Sequence, residues 1–219
     1  MTGRAACVAV LVALLAPAAW AQNEWTAEIV GPGFADVSVR ELAMSRRALA
    51  FYRSEASSDT AFVLRFGAPE EGYPLIDAPD WFEGGGALPD FNLLQFPVLK
   101  PGKERLQVRT ADGSYWVARS PAVVYLPWAT FLVDRVTGFD RLDPVANPLR
   151  AAPSVAAGVV PFPPQEGEGW ECLAVREVKG DWARVERSEL CWREEMPPLD
   201  GWIRWREGDR LLIDYGLVC

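Results

Sequence analysis

Apolar and polar residues alternate along most of this chain in short runs that are broken by Gly, Pro and Asp. That period of two belongs to half-buried strands, and the frequent breakers mark turns, so the pattern predicts an all-β protein. Helical periodicity is scarce. The longest segment that admits it, Val39 to Tyr52, fits either one short helix or two strands. Two hairpins can be placed. In the first, Leu106 to Thr110 and Tyr115 to Ala118 flank Ala111-Asp112-Gly113-Ser114, where Asp-Gly between alternating runs signals a tight turn. In the second, Cys172 to Val178 and Trp182 to Glu186 flank Lys179-Gly180-Asp181. Eighteen prolines and eighteen glycines reinforce the β reading, since neither suits helix interiors or central strands.

Breaks in the pattern suggest the organisation. Asp143-Pro144 and Asn147-Pro148 fall in a segment, Asp140 to Pro148, that reads as a linker, because the residue before a proline is driven to extended geometry. The boundary is placed near Val145, giving an N-terminal β-rich domain over residues 22–144 and a second domain over 145–219. Pro161 to Gly169 and Glu194 to Gly201 read as loops. Gly67 to Gly102, with Gly84-Gly85-Gly86, reads as an elaborated loop inserted in the first domain.

The first 21 residues have the parts of a secretory signal: Arg4, an apolar run from Ala5 to Leu15, and Ala19-Trp20-Ala21 ahead of Gln22. The run is shorter than the ~18 apolar residues a bilayer span needs. Cys7 sits at the start of the apolar run and is discarded with it, which leaves no lipid anchor. The expected compartment is periplasmic or secreted, with no membrane span. Cys172, Cys191 and Cys219 remain, and an oxidising compartment favours pairing two of them. If the second hairpin turns tightly, Cys172 lies near Cys191, making Cys172–Cys191 the first choice; pairing of Cys172 with Cys219 stays open.

Composition sharpens the functional classes. The chain of 219 residues contains no histidine, which removes Ser-His-Asp and Cys-His catalysis, imidazole acid–base chemistry and imidazole zinc sites. A net charge of −8 argues against nucleic acid, whose binding rests on Lys and Arg. Half of the residues are apolar, enough for a packed core.

From Asn147 onward the order of features resembles the bacterial SH3-like (SH3b) family. The residues that carry it are Asn147-Pro148-Leu149-Arg150 with Pro153-Ser154, Val159-Val160, Leu173-Ala174-Val175, Gly180-Asp181-Trp182-Ala183-Arg184-Val185, and Gly201-Trp202-Ile203. The resemblance implies a small, strongly bent β-barrel with a non-catalytic role, binding cell-wall or protein ligands. A long insertion, Arg187 to Asp200, departs from the family pattern. A degenerate second copy is expected in the N-terminal half, where Tyr52 to Ser57, Gly113-Ser114-Tyr115-Trp116 and Pro127-Trp128-Ala129 parallel the C-terminal order.

Strand alternation singles out four residues as ligand-binding candidates. Ala183 and Val185 should face one way, and Trp182 and Arg184 the other; Ile203 and Trp205 likewise oppose Trp202 and Arg204. With the aliphatic set inside, Trp182, Arg184, Trp202 and Arg204 form an outward aromatic and cationic surface, a common basis for recognition. Packing under the 161–169 loop is the competing role for both indoles. The acidic groups Glu166, Glu168 and Glu171, then Glu194, Glu195 and Asp200, and also Asp77, Asp80 and Glu83, read as solvated faces, because calcium-loop spacing is absent. No metal or other cofactor is expected. The reading is thus an exported, non-enzymatic adaptor for a cell-wall peptide or envelope protein. The rival is a carboxylate-dependent wall hydrolase, or its accessory subunit, since two carboxylates suffice for glycoside cleavage.

Overall fold

A computed structural model of the chain describes residues 29–68, 72–82, 87–88, 92–162, 171, 173–188 and 198–217. The fold is mostly β, with two short helices and several antiparallel sheets. The strands are β1 Gly33–Val37, β2 Leu49–Tyr52, β3 Thr60–Phe66, β4 Leu75–Asp77, β5 Ala87–Leu88, β6 Leu93–Pro101, β7 Arg105–Thr110, β8 Gly113–Ala118 and β9 Val123–Pro127, then β10 Gly138–Arg141, β11 Leu173–Lys179, β12 Trp182–Arg187, β13 Asp200–Arg204, β14 Arg206–Glu207, β15 Arg210–Leu211 and β16 Ile213–Gly216. Helix α1 spans Val39–Ser45 and α2 spans Trp128–Asp134. The leader at 1–21 and Cys172, Cys191 and Cys219 lie outside the described residues.

The ambiguous segment Val39 to Tyr52 divides into a helix and a strand. The Ser38 hydroxyl accepts the Glu41 N–H at 3.2 Å, and the Asn92 Oδ1 accepts the Arg40 N–H at 2.6 Å, so two of the orphan donors of α1 are satisfied. Arg46 ends the helix in the left-handed region at φ 53°, after which Leu49 and Phe51 alternate into the core as β2.

The first nine strands form one sheet in the order β4-β3-β2-β8-β7-β6-β1-β9, with β5 paired to β6. The expected hairpin is present, with Thr110 opposite Gly113. The loop expected over Gly67 to Gly102 is corrected: β6 runs through the middle of the sheet, with Leu94, Phe96 and Val98 buried. Pro97 and Pro101 argue against a central strand by composition. Both nevertheless pair in register, Pro97 with Phe34 and Pro101 with Leu106, on either side of a bulge between Val98 and Lys100.

Five later strands form a second sheet, β13-β12-β11-β10-β16. Its edge strands β13 and β16 continue into β14 and β15, which pair with each other, and the Leu212 N–H donates to the Trp205 carbonyl at 3.0 Å. The interior holds Leu173, Val175, Ala183, Val185, Ile203, Trp205, Leu211 and Ile213. Each Val, Leu or Ile side chain among them contributes about 1.5–3 kcal/mol on removal from water.

The sheets share this core. Phe34 and Leu126, on the opposite face of β1 and β9 from Ala35, Val37 and Val123, join Trp128, Phe131 and Leu132 of α2 inside it. Trp128 lies 5.6 Å from Trp205 between ring centroids, and its indole N–H donates to the Gly31 carbonyl at 3.1 Å. Tyr215 packs beside Phe131, and burial pushes its phenol pKa up. Because β10 already belongs to the second sheet, the partition falls at the end of α2, ahead of the boundary placed near Val145. The parallel proposed between the halves also breaks: Pro127-Trp128-Ala129 opens a helix, whereas Gly201-Trp202-Ile203 lies in a strand.

Candidate functional site: the outer face of the C-terminal sheet

The second hairpin turns over two residues, with Lys179 opposite Trp182 and Gly180 at φ 61°, a backbone conformation open to glycine without strain. That turn fixes which side chains face out. Across β12 and β13 the pairs are Trp182 with Arg204, Ala183 with Ile203, Arg184 with Trp202, and Val185 with Gly201. Directly opposed residues share a face. Trp182, Arg184, Trp202 and Arg204 therefore make a two-by-two checkerboard, with indoles on one diagonal and guanidinium groups on the other. Behind it Ala183, Val185 and Ile203 are fully buried, while both indoles are half-buried and Arg184 is exposed. Trp205, one residue beyond Arg204, points inward and donates its indole N–H to the Gly180 carbonyl at 2.9 Å, tying the hairpin turn to the core.

The two arginines are held by carboxylates. Arg184 makes a two-pronged contact with Asp200 at 2.8 and 2.6 Å, and Arg204 meets Glu207 at 2.8 Å. The hydrogen bonds from Arg184 keep the Asp200 carboxyl below the usual carboxylate range, and the same contact keeps Arg184 more firmly protonated. Asp200 is exposed, as the reading of a solvated acidic face requires, and in addition positions Arg184. Asp77 likewise pairs with Arg65 at 3.4 Å. Glu83, Glu166, Glu168, Glu194 and Glu195 lie outside the described residues.

Residues 147–150 complete the edge of β13. Arg150 and Trp202 exchange backbone hydrogen bonds of 2.8 Å, and the Asn147 side-chain amide both donates to the Arg204 carbonyl at 2.7 Å and accepts its N–H at 3.0 Å. The amide thus substitutes for a strand backbone. Gly201 allows the approach: a Cβ there would lie 2.6–3.0 Å from the buried side chain of Leu149.

Beside this edge is an open groove of about 390 Å³ lined by Pro148, Val159, Val160, Pro161 and Phe162, with Arg141 and Glu171 at its base. Arg141, in the segment expected as a linker, is buried. Its Nε and Nη2 donate to Glu171 at 2.8 and 2.5 Å, its Nη1 donates to the Asn147 carbonyl at 3.0 Å, and its guanidinium lies 4.7 Å from the Phe162 ring. Glu171 is therefore a structural counter-ion and not part of a solvated acidic face. Sequence reasoning did not assign Arg141, Asn147, Arg150 or Phe162 to this region, although Asn147 and Arg150 stand in the motif that carries the family resemblance.

Among the described residues no group of three or more Cys, Asp or Glu side chains is arranged to hold a metal ion, and no helix is long and apolar enough to cross a membrane. No family model, curated protein or solved structure matches the chain.

Proposed function

We propose that this protein is an exported, non-catalytic binding module that recognises a cell-wall peptide through the outer face of its C-terminal, SH3-like sheet. The observation that carries the reading is the checkerboard itself. Trp182 and Trp202 are turned to solvent on strands whose other face is filled by Ala183, Val185 and Ile203, and their neighbours Arg184 and Arg204 are fixed by ion pairs. Rigid aromatic area beside pinned polar groups suits recognition, because little side-chain freedom is lost on binding. Export rests on the residue pattern of the first 21 positions, and the SH3-like reading on the ordered segments from Asn147 to Ile203 together with the joining of both sheet edges through β14 and β15.

The test is co-sedimentation of the mature protein with purified sacculi, followed by analysis of released fragments. The protein is expected in the pellet without release of muropeptides, and Trp202→Ala is expected to weaken pelleting with the fold intact by circular dichroism. Release of muropeptides would overturn the non-catalytic reading. Absence from the pellet, combined with cross-linking to one envelope protein, would move the ligand from wall peptide to protein.

A further inference from the structure

Arg150 does not line the apolar groove but stands beside it, between the groove residue Val159 and the indole face. It is bridged on one side to Trp202 and on the other to Val159. Opposed residues project to the same face of an antiparallel ladder, so the Arg150 side chain lies between the half-buried indole of Trp202 and Val159, which is 61% exposed and lines the groove. One guanidinium N–H is used, donated by Nη1 to the Ala157 carbonyl at 2.8 Å. No carboxylate among the described residues pairs with the group. Its neighbours differ in this respect: Arg184 is paired with Asp200, Arg204 with Glu207, Arg176 with Glu186, and Arg141 with Glu171. At the far end of the face, Lys179 and Glu177 sit two residues apart on β11 with opposite charge. Among the described residues Arg150 is thus the arginine of this surface without a carboxylate partner, and its cross-strand neighbours on both sides, Trp202 and Val159, are apolar.

We propose that Arg150 is the anchor for a ligand carboxylate, and that this region binds a short apolar peptide with a free carboxylate, its small side chains lying along Pro148, Val159 and Pro161. The proposal rests on the binding-module reading and names the ligand class for the same surface. A guanidinium with open donors matches the fork of a carboxylate. The net charge of −8 on the whole chain disfavours polyanions, so the ligand carries one carboxylate set in apolar surroundings and not a run of acids.

Calorimetric titration of the full mature chain with acetyl-Val-Pro-Ala bearing a free terminal carboxylate, and with the same tripeptide as its terminal amide, tests this. The carboxylate form is expected to bind at least about tenfold more tightly. Arg150→Gln should erase that preference, and Arg150→Lys should restore only part of it, because an ammonium lacks the planar fork. Equal binding of the two peptides, or binding of neither, would overturn the proposal. The wild-type comparison stands even if Arg150→Gln lowers the melting temperature. Sacculus sedimentation run in parallel separates the two levels: pelleting that remains sensitive to Trp202→Ala, with indifference to the peptide carboxylate, removes the Arg150 anchor and leaves the adaptor reading in place.

Discussion

The outer faces of the two sheets carry the same kinds of side chain and treat them in opposite ways. On the N-terminal sheet, Tyr52, Trp116, Gln107 and Lys100 form a row across β2, β8, β7 and β6. Lys100 lies 5.6 Å from the Trp116 ring, and Arg105 stacks 3.9 Å from Tyr52. Yet Trp116 is only 8% exposed. Arg105 spends donors on the carbonyls of Ser54 and Ser57, at 3.2 and 2.7 Å, drawing that loop over the face, and Gly102 closes above the indole. On the C-terminal sheet Arg184 and Arg204 are satisfied by carboxylates beside them on the same surface, and Trp182 and Trp202 are buried less completely than Trp116. The difference follows what takes the cations' hydrogen bonds: Arg105 gives its donors to a distant loop backbone that lies over the row, whereas Arg184 and Arg204 give theirs to carboxylates on or next to their own strands, which leaves the indoles between them partly exposed.

The largest expected effect would break this contrast directly. Trp116→Ala removes a buried indole and should cost about 3 kcal/mol or more in urea unfolding, with no change in sacculus binding. Trp202→Ala should cost less, about 2 kcal/mol, because its indole is only partly buried, and should lose binding. If the two variants lose similar stability, or if Trp116→Ala loses ligand, the two faces are not different in kind.

A second measurement sharpens the comparison at the groove. The C-terminal face depends on a buried ion pair for which the row on the N-terminal sheet has no counterpart: the side chains of Arg141 and Glu171 are 4% and 13% exposed. Glu171→Ala leaves a guanidinium buried without its counter-ion, at an expected cost of about 3 kcal/mol. Replacing both partners with apolar residues, as in Arg141→Met with Glu171→Leu, should recover most of that loss, because neither charge then has to be desolvated. Failure of the double variant to recover would mean that the bonds from Arg141 to the Asn147 carbonyl, and not the charge pairing, hold the edge of β13.

How far this contrast is legible in the sequence depends on the range of the interactions behind it. The β12–β13 checkerboard is readable because the Gly180-Asp181 turn fixes the register and a period of two then assigns every face; Ala183, Val185, Ile203 and Trp205 face inward as the alternation requires. By the same local logic Trp116 parallels Trp182, and there the logic fails, because the covering loop is held by Arg105 across about fifty positions of sequence. β6 is obscured by two prolines that compositionally disfavour a central strand, and by a bulge between them that is invisible in the pattern. Arg141 and Glu171, thirty positions apart, look like a linker residue and a solvated acid until the fold brings them together. Arg150 is visible as a motif residue, but that no carboxylate among the described residues pairs with it depends on the fold, which sets Asp200 on Arg184 and Glu207 on Arg204 instead.

The smallest expected effect concerns the carboxylates that pair with the arginines of the C-terminal face. Asp200 titrates below its ordinary value of 3.8 in the folded chain because Arg184 hydrogen-bonds its ionised form. A group whose native pKa is depressed stabilises the fold above its unfolded pKa and loses that contribution as the pH falls through the native value. The pair should therefore be intact at neutral pH and open only in acid, below about pH 4. Both partners are well exposed, so global stability should barely respond; the response should be local. In isotope-labelled protein the indole N–H resonance of Trp202, assigned by its loss in Trp202→Phe, should shift in acid before the fold is lost. Asp200→Asn should show that shifted position already at pH 7. A Trp202 resonance that ignores both the acid titration and Asp200→Asn would mean that the carboxylate does not hold Arg184 against the neighbouring indole, and the difference between the two faces would then rest on the covering loop of the N-terminal sheet alone.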